Sequence, residues 1–194
     1  MPADAARPPQ FWYHPTIIVR RGWTMLRWKS FCLAVMAAQL LVPASLQARE
    51  TVPFDKPEYR PGTIVVSTKE RRLYLVLGQG QALRYPVAVG KRGKQWQGQA
   101  RIERKYVEPA WSPPDEIKRD NPKLPAVIAG GAPDNPMGAR AMTLTGGGQY
   151  AIHGTNRPRS IGTFASYGCV RMHNDDIIDL YGRVGVGTPV VMLP

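Results

Sequence analysis

Cysteine and histidine are scarce in this chain of 194 residues, with two of the first and three of the second. So few cysteines exclude a disulfide framework and the paired-cysteine spacing of a structural zinc site. Acidic side chains are also few: 14 Asp/Glu face 26 Lys/Arg, for a net charge of +12. Apolar runs stop short of the about 20 residues that comfortably span a bilayer. No internal repeat and no long polar tract is visible, and the length allows one domain plus a tail.

Glycine and proline, in contrast, are plentiful, with 19 of each, which favours a turn-rich β architecture over a helical bundle. The N-terminus does not read as fold. Met25-Leu-Arg-Trp-Lys29 is basic, and Ser30 to Val42 is apolar apart from Ser30 and Gln39. Small residues then lead to a cleavage point after Ala48 or Ala44, the layout of a secretory signal peptide over 25–48. An uncleaved anchor is the alternative. Residues 1–24 are expected to be an upstream extension or a mis-assigned start, with translation from Met25. Residues 49–61 are Pro-rich and are expected to be a linker.

Export to the periplasm is expected to remove Cys32 with the signal and to leave Cys169 as the single cysteine of the mature chain. Residues 49–194 hold 21 Lys/Arg and 13 Asp/Glu, about +8. A basic domain raises nucleic acid as a partner. Export argues against it and favours an anionic envelope polymer or membrane surface, or charge kept simply for solubility.

The chemistry gathers between 150 and 174, which holds His153, Cys169 and His173. A free thiol has a pKa of about 8.5, so a nucleophilic cysteine needs a nearby base, and imidazole is the usual one. His153 ends an apolar run. The Gly/Pro-rich residues after it can loop back to Cys169. A helix signal follows Cys169, so the helix dipole and Arg171 are expected to favour the thiolate. The Gly168 and Cys169 backbone N–H groups are expected to form an oxyanion hole. A backbone carbonyl, with Gly154 a candidate, is expected to orient His153. The reaction class that uses all three features is acyl transfer through a thioester. Cys169 and His173 with His153 could instead be metal ligands, but no paired-cysteine spacing supports that, so neither metal nor cofactor is expected.

The rest of the chain alternates as strands: Gly62–Thr68, Arg72–Leu77 with Leu73, Leu75 and Leu77 on one face, Ala82–Val89, and Gly98–Val107. The first three form an antiparallel meander that buries one face. Residues 115–137 are too long for a plain connection and read as a lid over a cleft, with a short helix at Asp115–Asp120 and Trp111 on the cleft wall. Arg140–Thr145 and Tyr150–His153 form a hairpin through Gly146-Gly147-Gly148. A helix capped by Asn174 and stopped by Gly185 carries Ile177, Ile178, Leu180, Tyr181 and Val184 as its apolar stripe, and Val190–Leu193 is a last strand. The fold class expected is mostly β with one short helix packed on a sheet.

These residues resemble the YkuD-type L,D-transpeptidase catalytic domain. The likeness rests on His153-Gly154-Thr155-Asn156 and Ser166-Tyr167-Gly168-Cys169-Val170-Arg171-Met172. It is supported by residues 135–141, by Trp111-Ser-Pro-Pro114, and by Leu180-Tyr181 with Gly187-Thr188-Pro189-Val190. It covers 62–194 and implies a β-sandwich. It also implies a periplasmic enzyme in which Cys169 attacks a peptidoglycan tetrapeptide stem, expels the terminal D-Ala, and passes the acyl group to a neighbouring stem or a lipoprotein lysine. His153 would be base and then acid, and Ser166, Gly168 and Arg171 would shape the site. Carbapenem-type β-lactams would acylate it. Tyr167 stands where many members carry histidine, which leaves His153 as the base. No peptidoglycan-binding repeat is visible. The competing readings are an L,D-carboxypeptidase, with water as acceptor, and a non-catalytic envelope-binding module.

Overall fold

The computed structural model describes residues 49–146 and 150–194. The signal segment, residues 1–24, Cys32 and the Gly147-Gly148 part of the hairpin lie outside the described residues. Among the described residues no helix is long and apolar enough to cross a membrane.

Eleven strands are described: β1 Glu50–Pro53, β2 Ile64–Ser67, β3 Arg72–Gly78, β4 Gln81–Pro86, β5 Val89–Gly90, β6 Gly98–Val107, β7 Arg140–Leu144, β8 Ala151–His153, β9 Phe164–Ser166, β10 Val170–Arg171 and β11 Pro189–Leu193. The helices are α1, Asp115–Asp120, and α2, Asn174–Arg183. Nine strands form one sheet in the order β1-β4-β3-β2-β11-β6-β7-β8-β10, and β5 pairs with β9. The expected meander is β2-β3-β4, antiparallel throughout. The ten-residue β6 is the joint of the sheet. Its first half pairs with β11 and, past a register shift between Ile102 and Arg104, its second half pairs with β7. Residues from both halves, among them Ile64, Leu73, Ile102, Met142 and Ile152, share one core with Ile177 and Leu180 of α2.

Several expectations change here. The segment 49–61 is not only a linker: Glu50–Pro53 pairs with β4, and Phe54 packs with Val65, Val76 and Ala82 in a second cluster. The meander is therefore covered on both faces at β2, where all four residues are buried. The register is irregular between Val76 and Gly78 and Leu77 is 44% exposed, so the Leu73-Leu75-Leu77 alternation fails at its last member. The long third strand breaks at Val87, after Pro86. Helix α2 ends at Arg183 without a glycine cap, because Lys105 Nζ donates to the carbonyls of Tyr181 and Val184, each at 2.6 Å. Asn174 is the first helical residue, and His173 holds the cap position.

Candidate active site

Two short parallel strands set the site. In the β8–β10 register Ile152 faces Val170 and His153 faces Arg171. Side chains alternate along a strand, so Ala151 and His153 share a face, and Arg171 joins them with Cys169 two residues before it. The face opens on a cavity of about 690 Å³ lined by His153, Cys169, Arg171, Ser166, Tyr167 and Trp111, among others. The fifteen residues between histidine and cysteine thus leave β8, turn through the 3-10 segment Pro158–Ser160 and β9, and return beside their start. Every residue expected at the site lies in this wall except Gly154 and Gly168, which shape it from behind.

Gly168 sits at φ +119°, and a Cβ there would lie 2.3 Å from the Tyr150 ring. Tyr150 stacks on Trp96 with centroids 5.1 Å apart and 6° between planes, and Trp96 Nε1 donates to the Gly168 carbonyl at 3.0 Å. Ser166 Oγ closes the turn, accepting from Gly168 N–H at 3.1 Å and donating to the Cys169 carbonyl at 2.6 Å. The Gly168 N–H is therefore committed within the turn, which corrects its expected place in an oxyanion hole. The Gly154 N–H is likewise committed, to the Arg140 carbonyl at 3.0 Å. Asn174 Oδ1 accepts from Ala139 and Thr155 N–H, each at 3.1 Å, and so ties the segment after His153 to the one before β7.

The electrostatics differ from those expected. Strand β10, not a helix, follows Cys169, and α2 begins five residues on, so its dipole is not aimed at the sulfur. Burial pushes the Cys169 thiol up, against the smaller opposing effects of backbone hydrogen bonding at Ala151 and the Arg171 charge. Burial also pulls His153 down to about 4, helped by Arg171, while backbone groups of Gly154, Met137 and Pro136 pull the other way. His153 Nδ1 is buried without a hydrogen bond of good geometry. Burial thus favours the uncharged forms of both the thiol and the imidazole.

The lid expectation acquires a geometry. Trp111 and Ile128 exchange backbone hydrogen bonds of 2.8 Å at its base, and Asn135 Nδ2 clamps the Pro109 and Ala129 carbonyls, each at 2.8 Å. Helix α1 is fastened by Lys94 to Glu116 and by the Tyr167 hydroxyl to Asp120. Lys91 Nζ lies 3.7 Å from the Tyr167 ring centroid. Tyr167 therefore joins the nucleophile turn to the lid. Among the described residues no group of three or more His, Cys, Asp or Glu converges on a metal-sized site.

The family model of the L,D-transpeptidase catalytic domain (YkuD) matches residues 61–192. The chain belongs to this family. It is 38% identical over 165 residues to "Probable L,D-transpeptidase ErfK/SrfK" of Escherichia coli K12, covering 80% of this chain and 49% of that protein. It is 40% identical over 136 residues to "Probable L,D-transpeptidase YbiS" of the same organism, covering 66% and 43%. The chain thus spans about half the length of the curated relatives it matches. An L,D-transpeptidase from Mycobacterium smegmatis has the same fold, with a TM-score of 0.54 at 18% identity over 68% of this chain and 58% of that one.

For the L,D-transpeptidase family site, sequence reasoning missed Trp96 and Tyr150. The available signals were a lone tryptophan in a polar, basic loop and an aromatic residue at the head of the strand that ends in His153.

Proposed function

We propose that the protein is a periplasmic L,D-transpeptidase that works through a Cys169 thioester. The observation that carries the reading is the pairing of β8 with β10, which sets His153 and Cys169 on one face of a cavity of about 690 Å³. That volume suits a peptide segment. As the Cys169 sulfur attacks the carbonyl of the third stem residue, His153 takes the thiol proton and hands it to the departing amine of the terminal D-Ala. An amine then attacks the thioester, either from a neighbouring stem or from a lipoprotein lysine, and the thiol is restored. Residues 62–194 are the catalytic domain, and 25–48 direct export. In L,D-transpeptidase 3 from Mycobacterium tuberculosis, whose fold matches with a TM-score of 0.51 at 15% identity, a faropenem-derived adduct has been seen. By the same acyl chemistry, carbapenem-type β-lactams are expected to acylate Cys169.

The test is intact-protein mass spectrometry with a carbapenem, followed by incubation with tetrapeptide muropeptides. The expected result is one adduct, absent in Cys169→Ala, and a cross-linked dimer product. A tripeptide product alone assigns water as the acceptor and makes the protein an L,D-carboxypeptidase. A folded protein that forms neither adduct nor product is an envelope-binding module.

A further inference from the structure

Arg171 is a half-buried cation on the cavity wall with no ion pair to a carboxylate among the described residues. Among the charged side chains of the cavity, Lys94 and Glu116 pair with each other, and Glu103 accepts from Thr143 Oγ1 at 3.4 Å. Arg171 has no ion pair and no side-chain hydrogen bond among the described residues, and its Nε is fully buried. The neighbouring charge that acts on it, besides the thiol, is another cation, Arg157. A guanidinium whose Nε is buried without a partner carries a desolvation cost, and the cost falls when an anion with two acceptor oxygens reaches it. A carboxylate matches the guanidinium fork with two parallel hydrogen bonds.

Position narrows the anion. Arg171 lies in register with His153 and two residues beyond Cys169 along the same chain, on the same cavity wall. Two residues of strand span about 6.6 Å. A peptide carbonyl held at the Cys169 sulfur, with its proton acceptor at His153, has the next residue's carboxyl carbon about one residue further on, and consecutive Cα atoms are about 3.8 Å apart. The length of an arginine side chain closes the difference.

We infer that Arg171 receives the free C-terminal carboxylate of the residue that is expelled, and so confines cleavage to the last peptide bond of the stem. The inference rests on the acyl-transfer reading above. In the step it serves, the S–C bond forms and the C–N bond breaks. The thiol proton passes through His153 to the leaving nitrogen, and the carboxylate stays on Arg171 until the amino acid departs. A longer peptide puts an amide where the carboxylate belongs and leaves the guanidinium unpaired.

The test compares a tetrapeptide stem ending in a free acid with the same peptide ending in a carboxamide. The wild-type protein should favour the acid by about 50-fold in kcat/KM, the size expected for losing a charge-assisted pair. Arg171→Gln should lower the acid's kcat/KM by a similar factor and draw the acid-to-amide ratio to about 1, whereas Arg171→Lys, which keeps the charge without the fork, should fall between. Any influence of Arg171 exerted through the thiol slows both peptides alike, so the ratio isolates carboxylate recognition. A wild-type protein that handles acid and amide equally overturns the inference, as does an Arg171→Gln protein that loses both equally and keeps the ratio. Binding of both peptides to Cys169→Ala separates this from failure of the acyl-transfer reading. No turnover with a retained acid preference in binding sinks that reading and keeps the carboxylate site, whereas no turnover and no preference sinks both.

Discussion

At the residue scale, burial pushes both the Cys169 thiol and the His153 imidazole toward their uncharged forms. His153 has an ordinary value of 6.5 and is held at about 4 in the folded chain. Its neutral form is the base, so the acid limb of the pH profile for carbapenem acylation should lie near 4. Acylation rates by quenched mass spectrometry across pH 3–8 check this, and a limb between 6 and 7 would contradict the burial argument. The linkage runs in the same direction. Above about 6.5 the ring is neutral in both the folded and unfolded chains, and its stabilising contribution is fully present. As pH falls from there to about 4, the unfolded chain takes up a proton that the folded chain refuses. Stability should drop by about 3 kcal/mol over that window, and His153→Gln should flatten the loss. Urea unfolding at pH 7 and pH 4.5 reads the difference.

At the scale of elements, the strands were legible where β-branched and apolar alternation met glycine or proline: β2, β3, β6 and β11 stand within a few residues of their expected places. What the alternation could not reveal were register shifts. These turn on which residues face each other across a ladder, so Leu77, expected inward, lies at the surface instead. Helix α2 shows the same division. Its apolar stripe was readable, and its C-terminal end was not, because that end is held by a residue remote in the chain. Lys105, 76 residues before Tyr181, closes the C-terminus, and its Nζ also lies 4.0 Å from the Tyr181 ring centroid. Lys105→Met keeps most of the apolar stem and removes the charge from the two carbonyls it serves. It should destabilise the protein by about 2 kcal/mol in urea unfolding. Lys105→Arg should recover part of that loss, and a neutral result for Lys105→Met would show the carbonyls equally well served by water.

At the scale of the whole molecule, the site was more legible than the sheet that carries it. His153 and Cys169 form a pattern that thiol and imidazole chemistry can read, whereas the roles expected of Gly168 and of a helix directly after Cys169 do not hold. The outer face of the meander depends on a segment whose Pro-rich composition looked like a connector. Phe54 reverses that reading: it is 8% exposed, with ring centroids 5.1 Å from Tyr74 and 6.3 Å from Tyr59. Its backbone N–H donates to the Gly80 carbonyl at 2.6 Å, which pins the end of β1 to the β3–β4 turn. This second cluster lies on the face of β2 opposite the main core, with Val65 turned to it and Ile64 and Val66 turned away. Removing the ring takes apolar surface from one face of a strand and leaves the β8–β10 wall untouched. Phe54→Ala should therefore cost about 3 kcal/mol in global unfolding, near the lower end for a buried aromatic because the site lies close to the surface and can partly collapse. The rate of Cys169 acylation measured well below the melting temperature should stay within about twofold of wild type, since the variant changes no group at the cavity. A loss of acylation in the folded variant would mean that the two faces of the sheet are coupled through β2 and β11, and that the segment before residue 62 belongs to the catalytic unit in function as well as in packing.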